Sequence, residues 1–385
     1  MKFIPYGKQH IDVLDQKAVC KALVSEKITT GKNVNLLENK LANFFKSKYA
    51  IVCNSGTSAL YISLLCLGIK KNSNIVAPSI NFVALYNAAN IIGANIFLAD
   101  VSLNTGQIDT ETIETCLKKN NIKKIDLICT MYLGGHVNSP QTIYQLKKKY
   151  KCKILEDACH ALGSSYFYKN KKINIGSCEH SDLAVFSLHP VKNITSGEGG
   201  VISTNNRKIF ERSIKLRSHG MEYKKNKKKI LEYDIVESSL NFRLSDINCS
   251  LAISQLSKLK KFVKKRREIF LMYYKAFSKM NNFFDIIGVQ NNEFSSNNLF
   301  QILLKNKYSK KRKLFVNYLY KKKILTQLHY KPIFELRLFK KLKKKHLVFS
   351  KKFSNTSVSL PIYYDLSKRQ QMHIIKSVKL FFINN

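Results

Sequence analysis

No stretch of the chain is apolar for the length of a membrane span. The first residues, Met1-Lys2-Phe3-Ile4-Pro5-Tyr6, form no apolar signal core and no small-residue cleavage site, so the expected location is cytoplasmic. There is no internal repeat and no long low-complexity linker. No two of the nine cysteines form a CxxC pair, and the odd count fits no disulfide framework. One cluster, Cys152, Cys159, His160, Cys178 and His180, lacks the paired ligand spacing of a structural zinc site. No metal is expected.

Acidic residues are also scarce. There are 25 Asp and Glu against 66 Lys and Arg, a net charge of +41. Residues 251–385 hold 31 of the basic residues and only 5 acids, a surplus of 26. Such a balance raises nucleic acid or an anionic surface as a partner. Against that, Lys, Asn, Ile, Phe and Tyr are all abundant and all have AT-rich codons. The lysine runs within 224–229 and 343–345 have no interleaved aromatics on which bases could stack. Nucleic acid is therefore not an expected partner.

What is present is a globular composition, 45% hydrophobic, in a chain too long for one typical domain. Residues 36–45 place apolar groups on one helical face. Short apolar strands are expected at 49–53, 74–78, 95–101, 125–132, 153–156, 182–188 and 200–203. Helical patterns at 58–67 and 139–150 lie among them. Such alternation predicts an α/β domain with a mostly parallel sheet covered on both faces. After about residue 250 a long basic helix is expected over 252–270, then short strands, lysine-rich helices and Asn-rich loops at 281–282 and 291–298. The expectation is a large domain at 1–250 and a smaller α+β domain at 251–385.

Four segments carry chemistry. Asn54-Ser55-Gly56-Thr57-Ser58 lies between a strand and a helix, where free N–H groups can seat a phosphate; an ordinary capped helix start has the same look. Glu156-Asp157-Ala158-Cys159-His160 follows an apolar strand, so a carboxylate stands at a strand end facing the ligand crevice of such a sheet. Phe186-Ser187-Leu188-His189-Pro190-Val191-Lys192 ends another strand with a lysine that burial could make a nucleophile. Ser196-Gly197-Glu198-Gly199-Gly200 has the glycine density of tight backbone packing. Taken singly, each has a structural explanation. Jointly, a phosphate seat, an acid, and a lysine about 35 residues later suit pyridoxal phosphate (PLP).

These segments, with Arg217-Ser218-His219-Gly220, resemble the DegT/DnrJ-type nucleotide-sugar aminotransferases, and the resemblance covers nearly the whole chain. It implies PLP fold type I, the aspartate aminotransferase-like architecture. It implies that Lys192 forms the Schiff base with the cofactor and that Asp157 meets the pyridine nitrogen. It places His160 near the ring hydroxyl and Phe82 on the ring. Gly56, Thr57 and Ser187 fall at phosphate contacts, and Asn241 at a phosphate contact from a neighbouring subunit, hence a homodimer. Tyr6, Thr29, Lys32, His189, His329, Tyr330 and Lys331 fall toward the substrate. Arg217 and Arg243 are the candidates for a donor carboxylate. Cys159 stands where the family usually has Ala or Ser, a change read as packing.

Thr29–Lys32, Arg217–Met221, 241–244 and Gln327–Ile333 resemble one branch more closely, the UDP-4-amino-4,6-dideoxy-N-acetyl-β-L-altrosamine transaminases of pseudaminic acid biosynthesis. That branch takes an amino group from L-glutamate to carbon 4 of a UDP-linked 4-keto-6-deoxy-N-acetyl hexose. Relatives acting on a UDP-4-keto-pentose or on dTDP sugars share much of the pattern. Related sugar dehydratases carry His where this chain has Lys192. A non-catalytic DNA-binding role would leave the Lys192 and Asp157 pair unexplained.

Overall fold

The computed structural model describes residues 2–225, 231–290, 294–342, 344 and 346–384. Most of the two lysine runs (226–229, 343 and 345) and two asparagines of the 291–298 loop lie outside the described residues.

The strands in chain order are β1 (Tyr49–Cys53), β2 (Asn74–Pro78), β3 (Asn95–Ala99), β4 (Leu127–Met131), β5 (Lys153–Asp157), β6 (Ser165–Tyr168), β7 (Lys171–Asn174), β8 (Leu183–Ser187), β9 (Gly200–Thr204), β10 (Met221–Lys225), β11 (Leu231–Ile235), β12 (Phe284–Ile286), β13 (Phe300–Leu304) and β14 (Ser357–Leu360). The helices are α1 (Val13–Leu23), α2 (Lys32–Phe45), α3 (Gly56–Cys66), α4 (Ala84–Ile92), α5 (Thr110–Asn120), α6 (Pro140–Tyr150), α7 (Arg207–Arg217), α8 (Asp246–Phe277), α9 (Arg312–Lys321), α10 (Val348–Thr356) and α11 (Lys368–Ile383).

A seven-stranded sheet runs in the order β1-β9-β8-β5-β4-β2-β3. Pairs from β8 to β3 are parallel, and β9 is antiparallel to both its neighbours. Its central strands are buried on both faces, which is why they read as continuous apolar runs without alternation. Helices supply the covering layers. In α2, Val34, Leu37, Leu41 and Phe45 recur at helical spacing and are all buried.

The helix expected over 252–270 is longer, Asp246–Phe277. Ser245 caps it, its hydroxyl accepting from the Asn248 amide. The buried Asp246 carboxylate accepts from the Gly31 and Asn33 amides, tying α8 to the start of α2. That first turn is polar, so hydrophobic spacing does not reveal it. The hairpins β6–β7 and β10–β11 are likewise absent from the sequence expectations.

The C-terminal part packs a three-stranded antiparallel sheet, β12-β13-β14, against α9, α11 and the second half of α8. Its aromatic-rich core holds Phe270, Tyr273, Phe277, Phe300, Phe315 and Phe381. Ile4 joins it from the other end of the chain, its amide donating to the Lys323 carbonyl at 2.8 Å.

Candidate active site

The C-terminal ends of the parallel strands open into a cavity of about 550 Å³. Parallel sheets present their ligand crevice at this edge. The cavity gathers eleven of the residues expected from sequence: Lys192, Asp157, His160, Gly56, Thr57, Phe82, Ser187, Tyr6, His189, His329 and Tyr330.

Asp157 ends β5 and is buried. One carboxylate oxygen accepts from Asn81 Nδ2 at 3.0 Å, the other from the Cys159 amide at 3.2 Å. The Asn81 amide is oriented in turn, because its Oδ1 accepts from the Phe82 amide at 2.6 Å. Asn81 also lines the cavity, and the sequence reading missed it. In a chain so rich in asparagine, only its place beside Phe82 could have marked it.

Lys192 is half-buried in the loop after β8. Side chains bind that loop to its surroundings: Thr195 Oγ1 donates to the Leu188 carbonyl at 3.0 Å, and Asn193 Nδ2 to the Leu162 carbonyl at 2.9 Å. Loss of water lowers the Lys192 pKa, while Cys159 and Asp157 pull it the other way. Cys159, read as packing, also lines the cavity.

At the far end, α3 begins. The Ser55 hydroxyl accepts from the Ser58 amide at 3.0 Å, leaving the first-turn amides of Gly56 and Thr57 without helical acceptors. Gly56 faces Ser187 so closely that a Cβ there would lie 3.0 Å from the Ser187 Cβ. Gly200 of β9 is tighter still, since a Cβ would overlap the Ser55 carbonyl. A helix N-terminus, small residues and a hydroxyl together could seat a phosphate.

The wall beyond is aromatic. Tyr330 lies 6.0 Å from Phe82 between ring centroids, and its hydroxyl is 2.9 Å from His160 Nε2. His329 Nδ1 is 2.8 Å from the Ser359 hydroxyl, and burial, with Lys192 adding to it, pushes its pKa down to about 3. Behind the wall, Arg266 of α8 is buried. It donates to the carbonyls of Asn298 and Ile362, at 3.2 and 2.8 Å, and both residues line the cavity. Burial lowers its pKa to about 10.

Four expected residues lie outside the cavity lining. Thr29 is exposed and bridges to Ser245, and Lys32 is exposed at the start of α2. Lys331 lines a separate groove with Phe334, Lys340 and Lys351. Asn241 is exposed beside the phosphate seat, its carbonyl accepting from Asn54 Nδ2 at 3.3 Å. Of the two candidate arginines, Arg217 pairs with the buried Glu38 carboxylate, and Arg243 donates to the Ser218 hydroxyl at 2.7 Å. Neither lines the cavity. Glu198, Asn298 and Gln327 do, although no role was expected of them.

The residues fit PLP. A phosphate seat stands at one end, a buried carboxylate with two donors at the other, and a desolvated amine lines the same space.

Residues 9–379 match the DegT/DnrJ/EryC1/StrS aminotransferase family. The UDP-4-amino-4,6-dideoxy-N-acetyl-beta-L-altrosamine transaminase of Campylobacter jejuni subsp. jejuni serotype O:23/36 (strain 81-176) is 39% identical over 366 residues, covering 94% of this chain and 93% of that protein. The Helicobacter pylori (strain ATCC 700392 / 26695) transaminase of the same name is 34% identical and covers 98% of this chain and 97% of its own length. Among solved structures, Helicobacter pylori PseC, described as an aminotransferase involved in the biosynthesis of pseudoaminic acid, superposes over 100% of both chains with a TM-score of 0.89 and 33% identity. The PLP-form of Spr1654 from Streptococcus pneumoniae superposes over 98% of both chains with a TM-score of 0.88 and 25% identity.

Proposed function

The chain belongs to the DegT/DnrJ/EryC1/StrS aminotransferase family, which uses PLP, and from that premise we propose that it moves an amino group from L-glutamate to carbon 4 of a UDP-linked 4-keto-6-deoxy-N-acetyl hexose. The product is UDP-4-amino-4,6-dideoxy-N-acetyl-β-L-altrosamine, and its use is pseudaminic acid biosynthesis. The observation that carries this reading is the joint placement of Lys192, Asp157 and the Gly56–Ser187 seat around one cavity, in a chain 39% identical to a transaminase of that name.

When bound, PLP supplies an aldehyde on which amines exchange and a ring that takes up electrons as a proton departs. The protein does the rest. Gly56, Thr57 and Ser187 hold the phosphate and so set the register. Asp157, kept in place by Asn81 and the Cys159 amide, holds a proton on the ring nitrogen through a charge-assisted hydrogen bond. Lys192 would hold the cofactor through its aldehyde. Its amine is eased toward the neutral form by desolvation, so once released it can take a proton from the donor carbon and return one to the acceptor.

We place Asn241 in the neighbouring subunit's phosphate seat and the working unit as a homodimer. In one protomer the β10–β11 arm and the segment after it expose Tyr223, Tyr233, Ile235, Val236 and Leu240, and Phe82 is 56% exposed. A second copy would cover such a surface. Thr29, Lys32 and Lys331 are assigned to the nucleotide in that assembly. The cytoplasm, where a nucleotide sugar is at hand, is the proposed location.

The test is a panel of acceptors with glutamate, read by mass spectrometry. It holds the UDP-4-keto-6-deoxy-N-acetyl hexose, a UDP-4-keto-pentose and a dTDP-4-keto-6-deoxy hexose. The first should have the highest kcat/KM, and borohydride should fix PLP to Lys192. Preference for another sugar would reject the acceptor; a label on another lysine would reject the site.

A further inference from the structure

His160 is buried, and both its ring nitrogens have partners. The Gly134 amide lies 3.3 Å from Nδ1 and can only donate. Nδ1 is therefore the bare nitrogen, and in a neutral imidazole the proton sits on Nε2. Neutrality is enforced, because burial, with the charges of Lys192 and then Arg266 adding to it, holds the pKa well below the usual histidine range. Nε2–H thus donates to the Tyr330 oxygen, 2.9 Å away. The Tyr330 hydroxyl proton is then left with no protein acceptor among the described residues. Its ring lines the cavity, and burial, then Asp157, Cys159 and Tyr6, keep the phenol protonated.

We infer that Tyr330, oriented by His160, donates a hydrogen bond to an oxygen held in the cavity, and that His160 acts through Tyr330. The inference rests on the function proposed above, which brings two such oxygens: the cofactor's ring hydroxyl oxygen and the carbonyl oxygen at carbon 4 of the acceptor. Both gain negative charge during the reaction, and a donor to a charged oxygen forms a stronger bond than a neutral pair. The sequence-based expectation set His160 itself beside the ring hydroxyl. In the structure its one proton is already engaged. His160 is then a positioning residue and Tyr330 the group that makes contact.

Tyr330→Phe keeps the ring against Phe82 and removes only the O–H. If the partner is the cofactor oxygen, the pH midpoint of the holoenzyme's absorbance change should rise by about one unit or more, since the lost donor favoured the anion. If the partner is the acceptor carbonyl, the midpoint should hold while kcat falls about tenfold or more and KM stays within about threefold. Either result supports the inference. An unmoved midpoint with kcat within about twofold of wild type overturns it. A second measurement needs neither variant nor cofactor. Nitrogen-15 NMR of the wild-type chain at neutral pH should show His160 with Nδ1 bare and Nε2 protonated, and a protonated Nδ1 overturns the inference. Borohydride labelling of wild-type Lys192 tests the underlying function separately, so a failure of one is not mistaken for a failure of the other.

Discussion

Glu156 and Asp157 are neighbours at the end of β5, so strand alternation sends their carboxylates to opposite faces of the sheet. Asp157 meets the cavity, whereas Glu156 accepts from the Tyr132 hydroxyl at 2.6 Å in the buried layer behind. Burial raises the Glu156 pKa from 4.5 to about 7, although the Tyr132 bond works against the rise. The folded chain thus holds this proton more tightly than the unfolded one. Its stability is fully present below pH 4.5 and is lost as the pH climbs through 7. Glu156→Gln keeps the acceptor without the charge. It should match wild type in urea unfolding near pH 4.5 and exceed it at pH 8 by about 3 kcal/mol. The adjacent carboxylates also show what a sequence conveys at this scale. The E-D pair after an apolar strand marked the strand end, and resemblance selected Asp157. Asn81 and Arg266 escaped, because a buried amide and a buried guanidinium look like surface residues until their neighbours are known.

Elements were more legible than single contacts. The central strands were expected close to their observed bounds, because burial on both faces leaves an uninterrupted apolar signature. What the pattern could not convey is that β9 runs antiparallel between β1 and β8. That arrangement brings Gly200 under the Ser55 carbonyl, so a strand of the sheet backs the turn proposed to seat the phosphate. Gly200→Ala should push the start of α3 away from Ser187. Titration of the apo-protein with PLP should show Kd raised about tenfold or more, which is about 1.4 kcal/mol, with the far-UV circular dichroism unchanged. An unaltered Kd would mean that the seat tolerates a shift of the 54–57 turn.

For the whole molecule, an assembly is part of the proposal. Lys192→Ala and Asn241→Ala dimers should each be impaired. Mixed and allowed to exchange, they should recover roughly a quarter of wild-type activity, because half the dimers are then mixed and each has one site free of both lesions. No recovery after mass spectrometry has shown subunit exchange would remove Asn241 from the shared site. The composition shift near residue 250 marks the smaller unit we propose to count from 251, but it falls one turn inside α8. Along that helix, Cys249, Ala252, Leu259 and Phe262 pack into one core, and Ile269, Phe270, Tyr273 and Phe277 into another. Its 32 residues, about 48 Å of unbroken backbone hydrogen bonding, act as a shaft keyed into two hubs. Neither hub can melt without stripping half the shaft, and a half-stripped helix leaves the carbonyls of Asn298 and Ile362 without Arg266. Heat therefore meets a single cooperative block, and the halves a composition plot separates should share one calorimetric peak.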